Sequence, residues 1–193
     1  NRLPILFLPG DTYANRMPDP VLQQVEHFNN PGITQNDAFK SVTRYFDRIT
    51  RPEQILQTLP QAIQVLLDPA DCGPACISLS QDIQGETYEY PEEFFIERVH
   101  NIRRPKPDDF QVKQAVEKIK NSKNPIIISG GGVFYSNAME ELSSFAIKHN
   151  IPVTQTVMGY SSMKRDHSHF LGPIGWLGGK AANNLAKQTD LAI

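Results

Sequence analysis

Pro125-Ile-Ile-Ile-Ser-Gly-Gly-Gly-Val133 decides the fold of this chain. Ile126 to Ile128 show no helical period and are bounded by Pro125 and Gly130, which suits a strand buried on both faces. The stretch therefore reads as strand, glycine turn, helix. Backbone without side chains at a strand's carboxyl end can approach a ligand phosphate, and a following helix N-terminus favours an anion there. Gly130, Gly131 and Gly132 are the candidate binding residues on that reading. The competing reading is that they let the chain turn sharply and pack a helix on a sheet, which needs positive φ and no Cβ. From these residues alone the packing reading leads and the binding reading stays open.

Working outward, the alternation continues on both sides. Asp108 is placed to cap a helix that turns Val112, Ala115, Val116 and Ile119 inward. Ser136 is expected to cap another, with Ala138, Leu142, Phe145 and Ala146 on one face. Ile151 to Val157 reads as a strand, Gly172 to Gly179 as a glycine-rich loop, Lys180 to Lys187 as a helix, and Leu191 onward as a strand. Strict alternation of this kind predicts an α/β fold, a parallel sheet with helices on both faces, Rossmann-like in this half.

Towards the N-terminus, Ile5 to Leu8 is an apolar run ending in Pro9-Gly10-Asp11, a strand entering a loop. Pro18-Asp19-Pro20 opens a short helix carrying Val21, Leu22, Val25 and Phe28. Residues 34 to 51 follow no single period and read as surface or interface. Thr50 to Glu53 has capping-box spacing ahead of a helix with Ile55, Leu56, Leu59, Ile63, Leu66 and Leu67 on one face, in which Pro60 kinks the helix or starts a second. Ala75 to Leu79 is a buried strand, and Pro91 starts a helix holding Phe94, Phe95 and Val99. Ile102-Arg-Arg-Pro-Lys-Pro107 reads as an extended linker. The expected domains are 1–98, then a linker at 99–108, then 109–193.

Composition narrows the function classes. A chain of 193 residues with 39% hydrophobic and 21% charged side chains is long enough to bury a core. A formal charge of −2 argues against nucleic acid and anionic membrane surfaces as partners. No apolar run approaches the ~20 residues that span a bilayer, and the expectation is a cytoplasmic protein. The start at Asn1 and the strand-like end at Ile193 suggest a piece of a longer protein. Cys72 and Cys76 lack redox or zinc spacing and are expected as reduced thiols. An NAD site would want a third glycine where Tyr135 stands and an acid after the next strand, where Gln155-Thr156-Val157 stands. His167-Ser168-His169 lacks a further ligand for a metal, and no nucleophile elbow is present. Gly10-Asp11 with Asn29-Asn30 faintly echoes a magnesium-diphosphate motif, but Thr12 replaces the glycine and the asparagines sit in a turn cluster. On the residues alone this is a scaffold with no active site.

Gly73-Pro-Ala-Cys-Ile-Ser-Leu-Ser-Gln-Asp82, together with Pro125 to Val133, Ile151-Pro-Val-Thr-Gln-Thr-Val-Met-Gly159 and Leu171-Gly-Pro-Ile-Gly175, resembles the thiamine diphosphate-dependent enzymes of the acetolactate synthase type over nearly the whole chain. Leu8-Pro-Gly-Asp11, Pro18 to Gln24 and Arg44-Tyr-Phe-Asp-Arg-Ile49 look most like the members that serve inositol catabolism by hydrolysing a carbon–carbon bond of a cyclic dione. The resemblance implies the end of a pyrimidine-binding domain followed by most of a central domain, in a parent that uses thiamine diphosphate and Mg2+ and is a homodimer or homotetramer. It carries no catalytic or metal residue onto this chain, since the family's activating glutamate falls upstream of Asn1 and its magnesium ligands downstream of Ile193. Some relatives bind FAD or ADP at the loop matching Gly130 to Gly132, a site expected to be vestigial here. The alternatives are a piece of an acetolactate synthase or another 2-oxoacid enzyme, and a free-standing nucleotide-binding module.

Overall fold

The computed structural model describes residues 2–15, 29–30 and 32–193. The helix expected over Pro18 to Phe28 lies outside the described residues. The chain divides into two compact units, Asn1–Arg103 and Arg104–Ile193.

The first unit is built on strand β4 (Ala75–Ser80), central in a parallel sheet. On one side run β1 (Leu6–Phe7) and β2 (Gly10–Asp11), which keep one register along β4, Leu6 opposite Ala75 and Asp11 opposite Ser80. The Pro9 carbonyl still accepts from the Leu79 amide between them, so one strand is interrupted rather than ended. On the other side lies β3 (Tyr45–Ile49), a strand the sequence pattern did not disclose. Its polar residues are the reason: Asp47 accepts from the Thr58 hydroxyl at 2.5 Å and Arg48 enters a buried ion network, so the strand lacks an apolar alternation. Helix α1 (Ile55–Leu67) runs unbroken through Pro60 and packs Ile55, Leu59, Ala62 and Leu66 on Ile49, Ala75 and Ile77. Its N-terminal cap differs from expectation, because Gln54 Oε1, not Glu53, accepts from the Thr50 and Arg51 amides at 2.6 and 3.0 Å. The helix expected after Pro91 is only a 3-10 turn, Glu92–Phe94, with Val99 83% exposed, since the aromatics there pack on Tyr90 rather than on a helix face.

The second unit has four parallel strands in the order β7–β6–β5–β8. These are β5 (Pro125–Ser129), β6 (Val153–Gln155), β7 (Phe170–Pro173) and β8 (Leu191–Ala192). This is the order of half a doubly wound fold, whose topological switch lies between β5 and β8. Helix α2 (Asp109–Asn121) begins at Asp108, whose carboxylate accepts from the Phe110 and Gln111 amides at 2.9 and 3.2 Å. Its face is less buried than expected, with Val112 and Val116 about two-fifths exposed. Helix α3 (Gly132–Tyr135) is one turn long, and α4 (Met139–His149) starts later than Ser136, which instead ends α3. Asn137 takes φ +55 between them, a left-handed step that no continuous helix accommodates. Helix α4 and Met163 cover Ile127 and Val153, and the last helix is α5 (Lys180–Ala186). The expected loop at Gly172 is partly strand, because β7 pairs with β6 across a register irregularity while Gly172 adopts φ +86. Among the described residues no helix is long and apolar enough to cross a membrane.

Candidate functional site

The most elaborate polar construction in the molecule stands at the carboxyl ends of β2, β3 and β4, the edge at which open parallel sheets present ligands. Asp11 is fully buried at the end of β2. Arg48, on β3, donates from Nε to Asp11 Oδ2 at 2.7 Å and from Nη2 to Thr34 Oγ1 and Asp37 Oδ2, both at 2.9 Å. Ser78 on β4 donates to the same Asp11 oxygen, and the Thr12 amide donates to the other at 2.8 Å. Asn36 closes the cluster, giving its amide hydrogens to the Gly10 carbonyl at 2.7 Å and Ser78 Oγ at 2.8 Å. The segment that delivers Thr34, Asn36 and Asp37 is a 3-10 run, Gln35–Ser41, held by a capping box in which Thr34 Oγ1 accepts from Asn36 and Asp37 accepts from the Thr34 amide.

Burial alone would raise the pKa of Asp11, but the bonds from Ser78, Arg48, Thr34 and the Thr12 amide outweigh it and hold the group below the usual carboxylate range. Asp37 behaves likewise: burial opposes, while Lys40, the Thr34 amide and Arg48 bring it to about 2. Burial lowers Arg48, and its two carboxylate partners more than restore it. All three groups are therefore ionised and engaged. Asp11 has no proton to transfer and is committed to Arg48 and Ser78, so the network is a cross-link that fixes three strand ends and not an acid–base pair.

Gly130, Gly131 and Gly132 lie where the sequence placed them, between β5 and α3. The reason offered for glycine does not hold there: Gly131 has φ −60, and positive φ among glycines occurs only at Gly172 and Gly175 of the described residues. A Cβ on Gly132 would meet nothing within 4 Å, and on Gly130 only Thr156 Oγ1 at 3.8 Å. Close packing requires glycine instead at Gly178, where a Cβ would fall 2.6 Å from the Ile174 carbonyl carbon, and at Gly159, where a Cβ would fall 2.1 Å from the Ser129 carbonyl oxygen. Sequence reasoning missed it because the demand comes from a strand end thirty residues away in the chain. Helix α3, at four residues, adds little macrodipole to the loop. Nearby at the end of β6, Gln155 is 4% exposed and its Oε1 has no hydrogen-bond partner.

His167 and His169 are engaged elsewhere, His167 Nε2 with Ser143 Oγ at 2.9 Å and His169 Nε2 with Asn150 Oδ1 at 3.0 Å. Cys72 and Cys76 are free buried thiols, and burial pushes the Cys76 thiol up. Among the described residues no three His, Cys, Asp or Glu side chains gather as metal ligands, and Asp11, the acid of the Gly-Asp doublet, is consumed by Arg48. The described residues thus do not fit a magnesium-bound diphosphate.

Comparison with known proteins places this geometry. Residues 112–193 match the family described as thiamine pyrophosphate enzyme, central domain. The whole chain is 53% identical over 193 residues to 3D-(3,5/4)-trihydroxycyclohexane-1,2-dione hydrolase of Clostridium perfringens (strain 13 / Type A), covering 100% of this chain and 30% of that protein. The proteins of the same name from Bacillus subtilis (strain 168) and Shouchella clausii (strain KSM-K16) are 48% and 47% identical with the same coverage. The chain spans 30% of the length of the curated relatives it matches. The stretch 112–193, which carries the parallel β7–β6–β5–β8 sheet, is thus similar to the central domain of thiamine pyrophosphate enzymes.

Proposed function

We propose that this chain is part of a thiamine diphosphate- and Mg2+-dependent hydrolase that opens a carbon–carbon bond of a trihydroxycyclohexane-1,2-dione to give 5-deoxyglucuronate in inositol catabolism. The observation that carries the reading is identity of 47–53% along all 193 residues to proteins so named. Residues 1–98 would be the later part of the pyrimidine-binding domain, 99–108 the linker and 109–193 the central domain of a cytoplasmic homodimer or homotetramer. Bound thiamine diphosphate supplies a nucleophilic carbon in such enzymes, and the cofactor does the difficult chemistry while protein positions it. The role of this chain is scaffold: Asp11, Arg48 and Asn36 fix the loops at one sheet edge, and the chain by itself is inactive.

The full-length protein tests the activity. It should consume the cyclic dione only when thiamine diphosphate and Mg2+ are supplied and should not condense pyruvate. Condensation of pyruvate without dione hydrolysis would instead make it an acetolactate synthase relative. Calorimetric titration of the 193-residue chain with thiamine diphosphate and Mg2+ tests the scaffold role, and measurable heat would overturn it.

One observation favours a second reading for Gly130 to Gly132. Neither φ nor packing requires glycine at Gly132, which leaves close approach of a ligand as a reason for it. Titration with ADP, FAD and NAD in turn separates that reading from a vestigial loop.

A further inference from the structure

Between α2 and α4 of the second unit, at the amino ends of β5 and β6, lies a cavity of about 530 Å3. Its inner wall is apolar: Ile151 is buried, Ile119 and Phe145 pack partly buried against the same core, and Pro125 and Val116 complete it. Its outer residues are polar, with Lys120, Lys123 and His149 all exposed. The spacing of the sequence produces this two-sided surface. Lys120 follows Val116, and Lys123 follows Ile119, by four residues, so each base stands one turn beyond an apolar residue. Phe145 and His149 repeat the step on α4, their ring centroids 4.4 Å apart. The volume and the lining, apolar with a few placed polar groups, are those of a small-molecule site.

The charge at the mouth is unbalanced, although the chain as a whole has a formal charge of −2. Bases in a last helical turn complement the macrodipole, which accounts for Lys120 on α2 and His149 on α4. Lys123 stands beyond the end of α2 and has no such reason. Among the described residues neither Lys123 nor His149 pairs with a carboxylate. The acids that adjoin the mouth are committed or weakly held. Asp190 accepts from Ser122 Oγ and from the Lys123 and Asn124 amides, while Glu117 lies 3.7 Å from Lys120 with both side chains largely exposed. Glu140 and Glu141 stand in the first turn of α4, at its other end. The cavity lies at the end of the sheet opposite the glycine loop, so it is separate from any ligand there.

We propose that this cavity binds an amphipathic carboxylate, its alkyl chain lying on Ile119, Phe145 and Ile151 and its head group meeting Lys120, Lys123 and His149 at the mouth. The two sides of the cavity select this class together. An inorganic anion gains nothing from the apolar wall, and an uncharged alkyl chain gains nothing from the converging bases. Only a ligand with both parts removes apolar surface from water while placing an anion beside bases that lack carboxylate partners. The inference goes beyond the thiamine-dependent reading and does not rest on it, since dione hydrolysis has its own assay and either can fail alone.

Calorimetric titration of the full-length protein with hexanoate, octanoate and decanoate, each below its micellar concentration, tests this, with octanol as the uncharged match to octanoate. Affinity should rise about fourfold for each added methylene. Lys120→Gln with Lys123→Gln should weaken octanoate about tenfold and leave octanol unchanged. Val116→Trp places bulk in the cavity from a position that is 40% exposed, and should abolish binding of both. Circular dichroism confirms that each variant folds. A protein that takes up no carboxylate would show the groove covered by another part of the longer chain and would overturn the proposal. Octanol bound as tightly as octanoate would remove the role of the bases, and uptake that survives both variants would place the ligand elsewhere, so either result overturns it as well.

Discussion

Arg48 donates to the buried Asp11 carboxylate at 2.7 Å although the two residues lie thirty-seven positions apart, one on each flank of the central strand β4. Each is held by further bonds, so the pair welds the edges of the first sheet across its middle. Removing one partner of such a pair leaves an uncompensated charge in the interior, which is worse than never having built it.

Arg48→Leu should therefore destabilise the first unit by about 3 kcal/mol. Asp11→Asn with Arg48→Leu should be less destabilised than the sum of the single variants. Urea unfolding of the three variants measures the coupling, and strictly additive losses would show that the two side chains act separately.

Acid should weaken the same cluster. Asp37 falls from an ordinary carboxyl value to about 2 when the chain folds, because Lys40, the Thr34 amide and Arg48 overcome its burial. A group depressed by folding contributes stability that is complete above its unfolded pKa and is lost as pH falls through the folded value. The contribution is thus present above about pH 4 and disappears between about pH 4 and 2. Stability followed by denaturant midpoint over that window should fall more steeply in the wild-type chain than in Asp37→Asn.

Two glycine substitutions should behave oppositely. Gly159→Ala drives a methyl onto the Ser129 carbonyl and should destabilise by about 2 kcal/mol, as overpacking of a rigid site does. Gly132→Ala meets open space at the start of α3 and should be neutral or stabilising by about 0.5 kcal/mol. Thermal melts of both variants decide it, and equal losses would mean that the loop relaxes where the backbone shows no room.

Asp190 ties the turn after α2 to the strand that precedes the chain end, accepting from Lys123 and Asn124 amides at 2.8 and 3.0 Å. Asp190→Ala should speed hydrogen exchange at those two amides while leaving Ile127 and Val153, in the core, protected. Uniform acceleration across the second unit would show a global rather than a local role.

Cys76 and Cys72 are 0% and 3% exposed, and burial raises the Cys76 thiol further from its reactive form. Neither should react with a thiol reagent in the folded chain, and both should react on unfolding in urea. Rapid labelling of the native protein would place one of them at an open surface.

The second half of the molecule was legible in sequence because its signals are local. Ile126 to Ile128 form a strand, Asp108 caps α2, and Lys180 begins α5, each decided by neighbours within one turn or one strand. Where the reading slipped, a short-range rule met a backbone step that it could not see: Asn137 at φ +55 ends one helix and delays the next. The strand Tyr45–Ile49 was hidden because its side chains are polar for tertiary reasons, Arg48 for Asp11 and Asp47 for Thr58.

By itself the sequence determined the α/β class, the helix and strand alternation of the second half and the reduced cysteines, all consequences of hydrophobic period, capping residues and spacing. Only the tertiary structure decided that β1 and β2 are one interrupted strand, that Gly159 and not Gly130 to Gly132 leaves no room for a Cβ, and that Asp11 is bound to Arg48 rather than free for a metal. Those outcomes depend on which distant residues parallel pairing brings to the same sheet edge, and pairing across crossovers leaves no period in the chain.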